Sequence, residues 1–279
     1  MTSALARSIL EGDRKALAKA ITLVESTRAD HNIEAEALIN ELLPATGGSA
    51  RIGVTGSPGV GKSTFIDAFG SMVVAEGSRL AVLAVDPSSA TGGGSILGDK
   101  TRMASLAAEP RVFIRPSPSS GALGGIGRRT RDAILLCEAA GFDTVLVETV
   151  GVGQSETTVA TVTDLFLLLV APGGGDDLQG IKRGVMELAD LVVVNKSDGN
   201  LAMLAKQTEA DYRLAVHLVR PKRPGTETAV VRCSSTTGAG LQEVWATLTG
   251  LHRAMADSGE LTSLRRAQAV GQLDDEVRA

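Results

Sequence analysis

Gly56-Ser57-Pro58-Gly59-Val60-Gly61-Lys62-Ser63-Thr64 follows an apolar run at residues 51–55 and opens a helical pattern over 62–76. It satisfies G-x-x-x-x-G-K-[ST] in the strand-to-helix setting that gives the motif its meaning. Glycines let the chain curl so that successive N–H groups point inward. The helix N-terminus adds partial positive charge, and Lys62 adds a full one. Ser63 is placed to offer its hydroxyl to Mg²⁺. A plain glycine turn accounts for the glycines but not for Lys62-Ser63. The stretch therefore predicts a nucleoside triphosphate held by residues 56–64.

Outward from this loop, short apolar runs recur at 51–55, 80–85, 112–114, 144–147, 165–170, 191–194 and 229–232. Helical patterns at 62–76, 128–140 and 181–188 lie between some of them. Runs that are apolar throughout, alternating with helices, predict a mostly parallel sheet covered on both faces. The expected fold is an α/β P-loop NTPase. Before it, residues 1–45 read as a helical extension. Asp13 can cap a segment carrying Leu17, Ile21 and Val24 at helical spacing, and a second stretch over 33–43 stops at Pro44. Thr46-Gly47-Gly48-Ser49 reads as a short hinge. The expected divisions are 1–45, a nucleotide-binding domain over 46–250, and a C-terminal helix or tail over 251–279.

Composition narrows the functional classes. The 279 residues carry 28 basic and 32 acidic side chains, a net charge of -4. That argues against binding nucleic acid through bulk electrostatics. Seven aromatic residues (five Phe, one Trp, one Tyr) are too few for base-stacking platforms. The longest apolar run, 165–172, is far shorter than the roughly 20 residues of a membrane helix. No secretory leader is recognisable, and Cys137 and Cys233 are too few for a disulfide framework. A cytoplasmic protein is expected, with no nucleic-acid or membrane partner. Glycine is over-represented at 32 residues, clustered in separate loops. That pattern suits one ligand gripped by backbone from several sides.

Asn195-Lys196-Ser197-Asp198 follows the run at 191–194. A carboxylate at Asp198 can accept from guanine N1–H and its exocyclic amine. Adenine offers neither, and the desolvated carboxylate would be left unpaired. The Lys196 stem can cover the base and Asn195 can tie loops together. Ser234-Ser235-Thr236, after the last run, fits a further base-contacting loop. The expected ligands are GTP and GDP. Asp86, Asp99 and Glu148 stand at or just past strand ends and, with Ser63, offer the hard oxygens Mg²⁺ prefers, some of them through water. Gly151 is suited to donate its N–H to a γ-phosphate, which makes 149–156 a switch. Lys62 supplies catalytic charge, and Asp99 and Gln154 are candidates to orient water. No arginine finger can be assigned: Arg115, Arg128 and Arg129 are candidates, but helix surface is the better reading of them.

At these residues the chain resembles the MeaB/ArgK family of GTPases. The likeness rests on long strings: Gly12-Asp13-Arg14 with Ala20-Ile21-Thr22-Leu23-Val24-Glu25-Ser26; Ser95-Ile96-Leu97-Gly98-Asp99-Lys100-Thr101-Arg102-Met103; Arg115-Pro116-Ser117-Pro118; and Val147-Glu148-Thr149-Val150-Gly151-Val152-Gly153-Gln154-Ser155-Glu156. The resemblance implies a chaperone of adenosylcobalamin-dependent acyl-CoA mutases, chiefly methylmalonyl-CoA mutase, which gates cofactor loading and protects or reactivates the enzyme. It implies a Mg²⁺ site at Ser63, Asp86, Asp99 and Glu148, and three switches at 86–100, 149–156 and 176–188, with Lys182 in the third. It also implies a homodimer through a C-terminal helical arm, of which 251–279 is a short version. Ala90-Thr91-Gly92 departs from the family pattern by lacking an arginine in the first switch.

Three other readings compete. A nickel-inserting GTPase metallochaperone needs Cys and His at ligand spacing, whereas Cys137, Cys233, His31, His217 and His252 are scattered. A kinase linked to arginine/ornithine transport sits poorly with the guanine-type motif. A non-enzymatic nucleotide-binding scaffold is the third.

Overall fold

The seven apolar runs form seven strands of one sheet. In the computed structural model, which describes residues 2–86, 103–118, 123–149, 155–173, 183–219, 222–223 and 226–278, these are β1 (Ala50–Gly56), β2 (Leu80–Asp86), β3 (Val112–Pro118), β4 (Thr144–Thr149), β5 (Leu165–Val170), β6 (Leu191–Val194) and β7 (Ala229–Arg232). Their order is β3-β2-β4-β1-β5-β6-β7, and every pairing is parallel. Both β4 and β5 are buried along their whole length. That is why β5 is apolar throughout and β4 is apolar over residues 145–147, with no polar alternation there.

The chain lays β1 down near the centre, then places β4 on one side of it and β5 on the other. Such a reversal opens a crevice at the carboxyl ends of the strands. One face of the sheet is covered by α4 (Lys62–Ala75), the short α5 (Ala104–Ala107) and α10 (Leu241–Asp257), which bury Phe65, Phe69, Leu106, Val244 and Leu248. The other is covered by α1 (Ala4–Leu10), α2 (Arg14–Val24), α3 (Ala29–Leu42), α6 (Leu123–Ala139) and α7 (Ser155–Ala160), and beyond them by α8 (Arg183–Leu188) and α9 (Ala202–His217).

The N-terminal helices are locally encoded. Asp13 caps α2, its carboxylate accepting from Lys15 N–H at 2.7 Å and Ala16 N–H at 3.3 Å. Leu17, Ala20, Ile21 and Val24 then share one buried face against α6. Removing a side chain of this kind, as in Leu17→Ala, costs about 2–5 kcal/mol. Helix α3 begins several residues before the stretch read from periodicity, because Ala29, Asp30, His31 and Asn32 carry no apolar signal.

The link over residues 46–49, read from the sequence as a short hinge, is pinned by side chains. Gly47 N–H and Ser49 Oγ donate to Glu138 of α6 at 2.8 and 2.6 Å, and Arg265 donates to the carbonyls of Gly47 and Ser49. Arg265 belongs to the last helix, α11 (Glu260–Arg278), which is anchored beneath the sheet although its sequence shows little amphipathic pattern. No helix among the described residues is long and apolar enough to cross a membrane.

Candidate active site

The loop 57–61 leaves β1 and enters α4 as its motif requires. Gly61 stands at the N-cap position with φ +93, and no side chain caps this helix. By contrast, α1 and α2 are capped by Ser3 and Asp13. An uncapped N-terminus leaves backbone N–H groups available to an anion. A Cβ on Gly61 would come within 3.0 Å of Asn195 Nδ2, and one on Gly56 would strike the Leu169 carbonyl. Both positions therefore need glycine for close approach, and Gly61 also for its left-handed backbone.

The loop's carbonyls are held by side chains from two directions. Lys62 Nζ donates to Gly56 O at 2.6 Å and Ser57 O at 3.4 Å. Asn195 Nδ2 donates to Val60 O at 3.1 Å and Lys196 Nζ to Gly59 O at 2.7 Å. A planar trans peptide aims its N–H opposite its C=O, so capturing the Val60 carbonyl turns the Gly61 N–H away from Asn195. The base loop thus shapes the phosphate loop.

The base loop is itself fixed from the end of β7. Asn195 Oδ1 accepts from Ser235 N–H at 3.2 Å and Ser235 Oγ at 2.8 Å, and Cys233 Sγ lies 3.6 Å away. Ser234 Oγ donates to Asp198 Oδ1 at 2.7 Å, which orients the carboxylate. Lys196 has φ +55, the one positive φ outside glycine among the described residues. Strain of that kind persists where surrounding contacts impose it, commonly at a ligand site. Burial pushes the Cys233 thiol up to about 12 and also raises that of Cys137. Both thiols are buried and un-ionised, as core cysteines are.

At the end of β4, Glu148 is buried and near enough to Lys62 to act on its charge. Burial lowers the Lys62 ammonium below its usual range, while the negative charges of Glu148 and Glu156 oppose that shift. Glu156, in the first turn of α7 and 2% exposed, is a site carboxylate that motif reading passes over. Its only sequence signal is its place just beyond a glycine-rich loop. Ser63 lies in the first turn of α4, half-buried. Thr64 is exposed.

Lys62, Glu148, Asn195 and Asp198 therefore rise from one sheet edge, at the ends of β1, β4 and β6. Residues 17–279 match the family described as methylmalonyl Co-A mutase-associated GTPase MeaB. The chain belongs to the MeaB family. It is 49% identical to GTPase ArgK of Escherichia coli, over 95% of this chain and 80% of that one. It is 48% identical to the mouse methylmalonic aciduria type A homolog, mitochondrial, over 93% of this chain and 65% of that one. A solved LAO/AO transport system kinase superposes with TM-score 0.84 at 40% identity, over 98% of this chain and 82% of its own. The hydrogenase maturation factor HypB of Archaeoglobus fulgidus, 18% identical with TM-score 0.54 over 84% of this chain and 98% of its own, shares the fold alone. With these relatives and this fold, the MeaB-family chain is a P-loop GTPase.

Several expected site residues lie outside the described residues: Asp99, Gly151, Gln154 and Lys182, with most of the first switch, residues 150–154 of the second and 176–182 of the third. Asp86 ends β2, adjacent in the sheet to the end of β4, and its backbone alone is described. Among the described residues no three His, Cys, Asp or Glu side chains converge on a metal position. Arg115 is a residue of β3, not of a helix surface. Its guanidinium donates to Glu25 at 2.6 Å and Thr22 at 3.2 Å, so it serves the N-terminal helices. Arg128, on α6, lies 3.9 Å from Asp132.

Proposed function

We propose that this MeaB-family chain binds GTP and Mg²⁺ at the carboxyl edge of its sheet, and that hydrolysis there signals to an adenosylcobalamin-dependent acyl-CoA mutase. The observation that carries the nucleotide reading is Asn195. It holds the phosphate loop at Val60 with one end of its amide and the Ser235 loop with the other. One side chain thus sets the spacing between the phosphate and base positions.

In this reading residues 56–64 cradle the phosphates. Lys62 brings its ammonium to the transferring group after giving up its bond to the Gly56 carbonyl. Burial makes that charge count for more, since a low local dielectric strengthens every electrostatic contact. Asp198, oriented by Ser234, accepts from the guanine edge; Lys196 lines the base, and Ser234, Ser235 and Thr236 close that side. Ser63 and Glu148 offer hard oxygens that suit Mg²⁺, with Asp86 and Asp99 completing the proposed set. A bound Mg²⁺ would supply charge neutralisation at the phosphates. Gly151 is proposed to contact the γ-phosphate, and Asp99 and Gln154 to orient the attacking water. Phosphoryl transfer passes through a loose transition state, so positioned charge matters more than a strong base.

The mutase link rests on the family description and on the mouse relative's name. In the proposed cycle the GTP-bound switches, 86–100, 149–156 and 176–188, engage the mutase, and hydrolysis releases it after adenosylcobalamin loading. Two measurements test the scheme. Equilibrium binding of GTP, GDP and ATP is expected to favour guanine nucleotides, and hydrolysis is expected to quicken when methylmalonyl-CoA mutase is added. Preference for ATP, or phosphate transferred to a protein, would instead favour a kinase. A rate indifferent to the mutase would remove the chaperone role.

A further inference from the structure

Thr149 is the last residue of β4. It is fully buried between two other strand ends. On one side it pairs with Val85, immediately before Asp86. On the other lies Thr55, one step beyond the register pair Val54–Glu148 and immediately before Gly56. Its hydroxyl donates to the Thr55 hydroxyl at 2.8 Å, and Thr149 and Thr55 are 0% and 1% exposed. Apolar side chains on this face include Val85, Val147, Val159 and Phe166.

Two valines would fill the same space. Exchanging a buried hydroxyl pair for apolar groups of equal shape is close to neutral in stability. What the pair adds is direction. A hydrogen bond of 2.8 Å is made or lost over a displacement of about 1 Å, whereas apolar packing at the same place tolerates sliding. Because side chains alternate along a strand, Thr149 and Glu148 face opposite sides of the sheet. Holding Thr149 against Thr55 therefore fixes the height at which Glu148 is presented on the Lys62 side. It also fixes the end of β4 relative to the root of the phosphate loop.

We propose that the Thr55–Thr149 hydroxyl pair positions Glu148 and the end of β4 against the phosphate loop, and that GTP turnover depends on it. This deepens the nucleotide reading above and rests on it. Neither threonine touches a reacting atom; both act through Glu148.

The test uses the full chain with Thr149→Val, Thr55→Val and Thr149→Ser. Thr149→Val and Thr55→Val are each expected to lower kcat about tenfold, with GDP affinity within about twofold of wild type; tenfold corresponds to about 1.4 kcal/mol. The affinity ratio of a non-hydrolysable GTP analogue to GDP is expected to fall as well. Thr149→Ser, which keeps the hydroxyl, is expected to restore turnover to within about threefold of wild type, and the double valine variant to be no worse than either single one. Thr55→Val keeps the test decisive if Thr149→Val fails to fold, because it removes the same bond without altering β4. A Thr55→Val or Thr149→Val protein with wild-type kcat and an unchanged analogue-to-GDP ratio would overturn the proposal alone. A wild-type chain that binds no GTP would overturn the nucleotide reading along with it.

Discussion

The two edges of the sheet use charge in opposite ways. At the amino edge an aspartate stands immediately before each of three strands: Asp143 before β4, Asp164 before β5 and Asp190 before β6. Each accepts a backbone N–H from the start of a neighbouring strand, namely Arg79, Arg51 and Phe166, at 3.0, 2.9 and 2.7 Å. Two of the three are then neutralised by cations. Asp164 accepts twice from Arg265, and Asp190 pairs with Lys222 and Arg223. Arg51 in turn grips Glu138 through two bonds of 2.9 Å. At the carboxyl edge the cation Lys62 rests on backbone carbonyls beside Glu148 and Glu156, under a helix terminus that no side chain caps. One edge spends its charges on the protein; at the other, in the reading proposed above, the Lys62 charge serves a ligand. Mutations should therefore divide cleanly, with stability lost at one edge and binding or turnover at the other.

The largest expected effect is at Lys62. Lys62→Ala should reduce GTP turnover by roughly 10³-fold, the scale seen when a positioned charge is removed from a transition state. Its melting temperature should stay near that of wild type, since the displaced bond is to a loop carbonyl. A parallel fall in melting temperature would blur the division between the edges. Arg265→Ala should show the reverse. Leaving Asp164 buried without its main cation costs about 3 kcal/mol or more, a drop of roughly 6–12 °C in Tm for a chain of this size. GDP affinity should be unchanged, and limited proteolysis should release α11 first. Base selection is a smaller effect. Asp198→Asn should weaken GDP binding about 100-fold, or about 2.7 kcal/mol, while improving xanthine nucleotides, whose 2-oxo group accepts from an amide as guanine's amine cannot. Guanine preference retained in that variant would show that Asp198 does not read the base.

The carboxyl edge was largely legible in the sequence because its chemistry is local: a phosphate loop needs its glycines, lysine and serine within nine residues, and Asn195 to Asp198 are four in a row. The strands were legible too, since an apolar run marks the buried part of each. The amino edge was not, because its partners are distant in the chain, Arg51 with Glu138 and Asp164 with Arg265. Yet a signal was present. An aspartate directly before three of the seven apolar runs, at 143, 164 and 190, is an odd place for an unpaired charge. Helix α11 gave little periodic signal because single polar side chains anchor it, Arg265 to Asp164 and Gln268 to the Thr163 carbonyl. Glu156 was hidden for a related reason: its tie to Lys62 spans the sheet edge, and no spacing rule predicts that meeting.

The smallest effect is also the most diagnostic of the amino edge. Burial by itself would raise the Asp164 carboxyl. Hydrogen bonds from Arg265, the His252 ring 3.6 Å away, the Arg265 charge and the Arg51 N–H outweigh it and hold the group at about 2. An unfolded aspartate titrates near about 3.9. The folded value is the lower one, so the carboxylate stabilises the fold at any pH above the unfolded value. That contribution, roughly 2–3 kcal/mol, drains away as pH falls from about 4 through about 2. Asp164→Asn cannot take part in this titration. The stability gap between wild type and the variant, followed by denaturant unfolding, should be constant above about pH 5 and narrow steadily below about pH 4. A gap that stays constant down to about pH 2 would mean that Asp164 is held by packing and not by its ion pair. The contrast between the two edges would then be one of shape alone.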